Sequence, residues 1–127
     1  MVRRDVLDGG TANDSLSGGD EADTLEGGAG DDTLDGGAAG DVHVFGFTLS
    51  DTGADEIVGF TAEDQILFID PGVRGEAADL TAFLDASVET GGNLVYDAGG
   101  DQVSVITLIG VSKADLGASN FDTWQTA

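Results

Sequence analysis

Gly27-Gly28-Ala29-Gly30-Asp31-Asp32-Thr33-Leu34-Asp35 is the stretch that decides the fold. Its features recur through the first third of the chain at one spacing. Gly-Gly pairs fall at 9–10, 18–19, 27–28 and 36–37. Aspartates fall at Asp5, Asp14, Asp23, Asp32 and Asp41. Two residues after each aspartate stand Leu7, Leu16, Leu25, Leu34 and His43. Each set has a period of nine. Gly-Gly admits backbone angles barred to other residues, so it marks a tight turn. Leu16, Leu25 and Leu34 are each flanked by polar or small residues, in Ser15-Leu16-Ser17, Thr24-Leu25-Glu26 and Thr33-Leu34-Asp35. That pattern predicts a three-residue strand with only its middle side chain turned inward.

Nine residues are too few for a full coil of a two-sheet solenoid, but two repeats make one. Leu7, Leu25 and His43 then stack in one sheet, and Leu16 and Leu34 in the other. Turns two repeats apart become neighbours. Stacked coils lie about 4.8 Å apart, which brings Asp14 close to Asp32 and Asp23 close to Asp41. Two bare carboxylates about 5 Å apart repel by roughly 3 kcal/mol at an effective dielectric near 20. One buried leucine per repeat returns only about 2 kcal/mol. The stack therefore needs a counter-ion. Calcium suits it, taking 6–8 oxygens from carboxylates and carbonyls in flexible geometry. Magnesium demands a tighter octahedron and keeps its waters.

Residues 9–44 resemble the RTX (repeats-in-toxin) nonapeptide, GGxGxDxUx with U large and apolar. The resemblance implies an all-β fold: a right-handed parallel β-roll with calcium between successive turns on each edge. It also implies the ligands. One loop gives its second- and fourth-position carbonyls and its aspartate. The loop two repeats later gives its first- and third-position carbonyls and its aspartate. The first complete site is then Gly10, Ala12 and Asp14 with Gly27, Ala29 and Asp32. The second is Gly19, Glu21 and Asp23 with Gly36, Ala38 and Asp41. A partial site joins Met1, Arg3 and Asp5 to Gly18, Asp20 and Asp23. A later one joins Gly28, Gly30 and Asp32 to the turn around 45–51. Gly30 alone keeps the fourth-position glycine; Ala12, Glu21 and Ala39 replace it. A side chain there strains the turn if φ is positive, which weakens a site without deleting its carbonyl. His43 stands where an apolar residue is expected. It reads as a packed, largely neutral residue, with a proton-sensitive switch as the alternative.

The rest of the chain resembles the region that follows such arrays. Asp41-Val42-His43-Val44-Phe45 reads as the end of the array, where a longer strand starts. Residues 55–68 resemble the segment D-x-I-x-x-F-x-x-x-D-x-I-x-φ. Ile66-Leu67-Phe68-Ile69 is a strand-length apolar run ended by Pro71-Gly72. Apolar residues at helical spacing predict a short helix over 76–86. Val88 begins a strand region, and 93–97 with 103–108 predict a β-hairpin. Residues 1–44 are thus expected as roll and 45–127 as a mainly-β capping region with a short helix, in one structural domain. The end of a solenoid exposes strand edges and a bare core, so it needs a cap. Phe45, Phe47, Phe60, Phe68, Phe83, Tyr96, Phe121 and Trp124 supply a core for one. Asp51, Asp55 and Asp64 are turn-capping acids or ligands at the junction, with Asp64 the favoured ligand.

Composition narrows the function. The 127 residues carry 25 acidic and 4 basic side chains, a formal net charge of −21. That charge opposes nucleic acid and anionic membranes. There is no cysteine and one histidine, so thiolate and multi-histidine metal sites are excluded. No apolar run reaches membrane-span length, and Met1-Val2-Arg3-Arg4 opens no Sec signal peptide. No H-E-x-x-H, G-x-S-x-G or phosphate loop is present, so an enzyme is not expected. The resemblance implies a secreted protein of a Gram-negative bacterium, exported by type I secretion machinery and folding on extracellular calcium. Asp5-Val6-Leu7-Asp8 reads as the tail of a repeat begun upstream. An N-terminal passenger domain is the expectation. An accessory carbohydrate-binding module of a polysaccharide-modifying enzyme is the alternative.

Overall fold

The computed structural model describes residues 5–46, 53–69, 80–97 and 104–121. The predicted three-residue strands are β1 (Val6–Asp8), β2 (Ser15–Ser17), β3 (Thr24–Glu26) and β4 (Thr33–Asp35). Longer strands follow: β5 (Val42–Gly46), β6 (Gly53–Val58) and β7 (Gln65–Ile69). These seven alternate between two sheets. One has the order β1-β3-β5-β7; the other begins β2-β4-β6. All of these pairings are parallel. The molecule is a parallel β-roll, as expected.

Register repeats the sequence period and then departs from it. Leu7 pairs with Leu25, Leu25 with His43 and Leu16 with Leu34, each two repeats apart. Beyond them His43 pairs with Ile66 and Leu34 with Ile57, an offset of 23. His43 and Ile57 are 14 residues apart instead of nine, so the five extra residues fall between them, where β5 and β6 are longer than the strands of the repeats. The boundary expected at 44 marks the end of the sequence period. The coils themselves run on through β7.

The cap adds α1 (Leu80–Asp85), β8 (Ser87–Thr90), β9 (Asn93–Asp97) and β10 (Ser104–Leu108). The predicted hairpin is β9–β10, antiparallel. Its turn and residues 76–79 of the expected helix lie outside the described residues, as do Pro71-Gly72 and Asp51. β10 also lies parallel to β6, so the second sheet continues as β6-β10-β9-β8. One sheet is therefore shared by roll and cap. The other is closed by a 3-10 helix, Ala118–Phe121. There the buried Asn120 donates through Nδ2 to the Asp64 carbonyl at 2.7 Å, and its Oδ1 accepts the Gly117 N–H at 2.8 Å.

The core grows along the roll. Leu7 and Leu16 are only partly buried, whereas Leu25, Leu34, Ile57 and Ile66 are fully buried. In the cap Phe83 stacks on Tyr96 with centroids 4.5 Å apart and tilts against Phe121 at 5.1 Å. Ser87 closes α1 by donating to the Phe83 carbonyl, one of the acceptors a helix end leaves over.

Candidate metal centre

Each turn of the repeat sets an aspartate against the next coil. The Asp5 N–H donates to Asp23 Oδ1 (2.7 Å), and the Asp23 N–H to Asp41 Oδ1 (2.9 Å). On the other edge the Asp14 N–H donates to Asp32 Oδ1 (2.8 Å). One carboxylate oxygen is thereby used to lock the coils. The second is not. Oδ2 of Asp14, Asp23, Asp32 and Asp41 is buried and has no hydrogen-bond partner. A buried polar atom without a partner is costly, and a repeated one indicates a missing ligand.

The glycines explain how these oxygens are reached. A Cβ on Gly9 would lie 2.6 Å from Asp14 Oδ2 and 2.7 Å from the Gly27 carbonyl oxygen. A Cβ on Gly18 would collide with Asp23 Oδ2 and lie 2.8 Å from the Gly36 carbonyl. The first-position glycine thus keeps a carboxylate oxygen and the next loop's first carbonyl facing one small space. Second-position glycines serve stacking: a Cβ on Gly28 would strike the Gly10 carbonyl, and one on Gly37 the Gly19 carbonyl. Gly10 and Gly19 accept the N–H groups of Ala29 (2.9 Å) and Ala38 (2.8 Å). A carbonyl has two lone pairs, so this leaves each able to bind an ion.

At the fourth position Ala12 (φ 77°) and Ala39 (φ 73°) do adopt the strained angle, like Gly30 (φ 111°). Glu21 does not, so its turn avoids the strain expected of it. Asp8 and Asp35 accept the N–H of Gly10 and Gly37 at 3.0 Å. They are turn acids of the Asx kind.

Burial is the main cause of the electrostatic strain. It pushes the carboxyls of Asp32 and Asp41 above the usual aspartate range. The Asp14 charge adds to this for Asp32, and the charges of Asp64 and Asp23 for Asp41, while donated backbone N–H bonds pull the other way. Glu26 is raised by burial and then by Asp8. Among the described residues no three His, Cys, Asp or Glu side chains gather around one point. A facing loop pair brings two carboxylates, so backbone carbonyls must complete a shell. Hard oxygen donors, carbonyl-rich and dianionic, fit calcium. The two complete ligand sets expected from the sequence lie on facing loops, Gly10–Asp14 with Gly27–Asp32 and Gly19–Asp23 with Gly36–Asp41.

The partial sites fare differently. Asp5 is in register, but Met1 and Arg3 lie outside the described residues, as do residues 47–51 of the turn expected opposite Gly28, Gly30 and Asp32. Asp64 is in register too, with Oδ1 accepting the Asp41 N–H at 2.8 Å. Its Oδ2, however, accepts the Thr61 N–H at 2.7 Å. Both of its oxygens are engaged by protein, which departs from the open ligand expected there. Asp55 takes the register place after Asp32, whose N–H donates to Asp55 Oδ1 at 2.9 Å. The signal for these two was present: Asp55-Glu56-Ile57 and Asp64-Gln65-Ile66 repeat the aspartate–apolar pair at the same period of nine. Asn120 left no comparable signal.

His43 is fully buried between Leu25 and Ile66 in register, with its ring 5.9 Å from that of Phe60. Neither ring nitrogen has a partner. Burial lowers its pKa to about 4, against a small opposing pull from Asp35. It is the packed, neutral residue expected.

The family model of the RTX calcium-binding nonapeptide repeat (4 copies) matches residues 4–42. No curated protein sequence matches the chain. Among solved structures the chain is similar to the extracellular lipase LipA from Serratia marcescens, at 28% identity and a TM-score of 0.65. That match covers 89% of this chain and 20% of the lipase chain, so the chain spans about one fifth of that relative's length. With the nine-residue aspartate ladder and the parallel coils beside them, these matches make residues 4–42 an RTX calcium-binding nonapeptide repeat array, folded as a β-roll.

Proposed function

We propose that this chain is a calcium-responsive, non-catalytic folding module, the C-terminal part of a longer protein secreted by a bacterial type I system. The observation that carries the reading is the row of buried Asp14, Asp23, Asp32 and Asp41 Oδ2 atoms without a protein partner. Calcium, when bound, supplies the positive charge and the coordination positions these oxygens lack. Gly10, Ala12 and Asp14 with Gly27, Ala29 and Asp32 would hold one ion. Gly19, Glu21 and Asp23 with Gly36, Ala38 and Asp41 would hold a second. The chain's own groups do the rest. Backbone N–H groups hold each Oδ1, the first-position glycines leave room at Oδ2, and the leucine ladder excludes water beneath. At the low calcium of a cytosol the ladder repels itself, which suits export of an unfolded chain. At millimolar calcium outside the cell it closes. The similarity to a much longer extracellular lipase supports a secreted setting within a longer protein.

The test is far-UV circular dichroism of the metal-free chain during a calcium titration from micromolar to about 10 mM, the range from sensors to extracellular modules. A cooperative gain of β-structure is expected, reversed by chelator and not reproduced by magnesium. A spectrum indifferent to calcium would overturn the reading.

A further inference from the structure

On the edge of the roll that carries Asp23 and Asp41, each coil grips the next at two points. The aspartate N–H donates to Oδ1 of the aspartate one coil on, from Asp5 to Asp23, Asp23 to Asp41 and Asp41 to Asp64. The aspartate carbonyl accepts a backbone N–H from that next coil. Asp5 accepts from Thr24 (2.9 Å), Asp23 from Val42 (2.9 Å) and Asp41 from Gln65 (2.7 Å). At Asp64 the series changes hands. Among the described residues β7 is the last strand of its sheet. The Asp64 carbonyl accepts from Asn120 Nδ2 instead, at 2.7 Å, the same length as the Gln65 bond one coil before. A side-chain amide thus takes the place that a backbone N–H holds on every earlier coil.

Asn120 is fitted to that place at both ends of its amide. It is 1% exposed, and a buried amide is costly unless its polar atoms are used. Its Oδ1 accepts the Gly117 N–H at 2.8 Å. Its Nδ2 also lies 3.4 Å from the Ala62 carbonyl oxygen and 3.5 Å from that of Thr61. The loop it grips is the loop that braces Asp41. There the Asp64 N–H closes on the Thr61 carbonyl (3.1 Å) and the Thr61 N–H on Asp64 Oδ2 (2.7 Å). Asp64 Oδ1 is left turned to the Asp41 N–H at 2.8 Å. A Cβ on Gly40 would lie 2.6 Å from the Glu63 carbonyl oxygen, so the two loops meet without a gap. A continuous path therefore runs from Asn120 through Asp64 to the backbone of Asp41, whose carboxylate belongs to the second ion site.

The opposite edge is continued by backbone. The Asp14 carbonyl accepts the Thr33 N–H (2.9 Å) and the Asp32 carbonyl the Glu56 N–H (2.8 Å). The next aspartate, Asp55, lies inside β6, a strand paired on one side with β4 and on the other with β10. The β10 pairing runs in unbroken register from Gly53 to Ile57. On this edge a strand supports the last aspartate through several backbone bonds. On the other, one side chain does.

We propose that Asn120 is a positioning residue for calcium: it acts as the N–H of a further coil at the end of the Asp23 edge, and through Asp64 it sets the affinity of the site between Gly19–Asp23 and Gly36–Asp41. The site between Gly10–Asp14 and Gly27–Asp32 is independent of it. This rests on the calcium reading above and deepens it, since the two ions then answer to different parts of the cap. Asn120 touches no ligand atom; it holds the loop against which Asp41 is held.

The experiment reads the two edges separately. Wild type, Asn120→Ala and Leu94→Ala are titrated with calcium, following by NMR the amide signals of Gly10 and Gly27 for one edge and of Gly19 and Gly36 for the other. In Asn120→Ala the Gly19 and Gly36 midpoint is expected to rise roughly five- to tenfold above that of Gly10 and Gly27, the scale of one ordinary hydrogen bond. Leu94→Ala truncates a fully buried cap residue on β9 and should move both edges alike. Midpoints that shift together in Asn120→Ala, or the same split in Leu94→Ala, would overturn the inference. A wild type in which none of the four signals responds to calcium would instead sink the underlying reading. Because Asn120→Ala can fail to fold, the coupling is also measured with Asn120 intact. Coupling is reciprocal, so an ion on the Asp23 edge must tighten the Asn120 bond. Hydrogen exchange of the Asn120 side-chain amide in saturating calcium should be faster in Asp23→Asn than in Asp14→Asn. Equal rates, or the reverse order, would overturn the assignment.

Discussion

Roll and cap solve the same problem with opposite means. A roll strand from β1 to β4 puts one leucine into the core and surrounds it with acids and glycine turns. In the cap, Phe83, Leu94, Tyr96, Ile106, Leu108 and Phe121 are buried together. The apolar area of one leucine is worth about 2 kcal/mol, less than the repulsion of two facing carboxylates. An aromatic cluster gains that area several times over, plus about 0.5–1.5 kcal/mol per ring pair. Burial alone therefore favours the cap more than the outer coils of the roll. The shared sheet through β6 and β10 lets one region present a strand edge to the other.

Phe83→Ala is the strongest way to break that division. Phe83 is fully buried and touches both Tyr96 and Phe121, so its truncation should cost about 3–5 kcal/mol. Thermal melts in saturating calcium should show a large fall in Tm, with the calcium midpoint displaced upward as the template for the roll weakens. Leu16→Ala, in the half-buried outer coil, should cost far less. A comparable loss at the two positions would mean that the roll carries its own core.

What could be read from the chain beforehand follows the same division. Residues 5–44 were legible because one period tied turn, aspartate and leucine together, and Leu25 against His43 came out in the expected register. Asp55 was harder because five inserted residues break the period, although Asp55-x-Ile57 still repeats it. The place of β10 beside β6 rests on a parallel pairing of strands far apart in the sequence, which no local pattern encodes. Asp64 shows a different limit. Its register was readable, but the direction of the Thr61 N–H decides whether Oδ2 is open, and a backbone angle leaves no trace in residue type. Asn120 is one polar residue among many until its carbonyl partners are known.

His43 sharpens the comparison inside the roll, because it brings a cap-like aromatic contact into the leucine ladder. Both its nitrogens are buried without partners, which costs about 1–3 kcal/mol even in the neutral ring. His43→Leu restores the repeat and should stabilise the fold by about that amount at pH 7. The pH dependence has two opposing parts. His43 has a folded pKa of about 4, below its usual value near 6.5. The unfolded chain binds the extra proton between those values, so stability is full above about 6.5 and is lost as pH falls toward 4. Asp32 and Asp41 are raised instead. There the folded, metal-free chain binds the extra protons, so stability is gained as pH falls from above their raised values toward the ordinary aspartate range. Wild-type metal-free chain should therefore gain little on acidification from pH 7 toward the ordinary aspartate range, while His43→Leu should gain visibly by circular dichroism. Identical acid profiles for the two would show that His43 is not the opposing group.

The smallest effect separates turns that look equivalent in sequence. Ala12 and Glu21 both replace the fourth-position glycine, yet only Ala12 has a positive φ. A left-handed angle costs an L-residue roughly 1–2 kcal/mol, and glycine gives back part of that as unfolded-state entropy. Ala12→Gly should raise stability in saturating calcium by up to about 1 kcal/mol, since the carbonyl at that position is kept and the strain removed. Glu21→Gly should not, because there is no positive φ to relieve and the added freedom only loosens the unfolded chain. Two Tm values, measured at the same calcium concentration, decide it. Equal gains would mean that calcium-bound turns share one backbone conformation whatever residue fills the fourth position. The strain at Ala12 would then belong to the site and not to the residue.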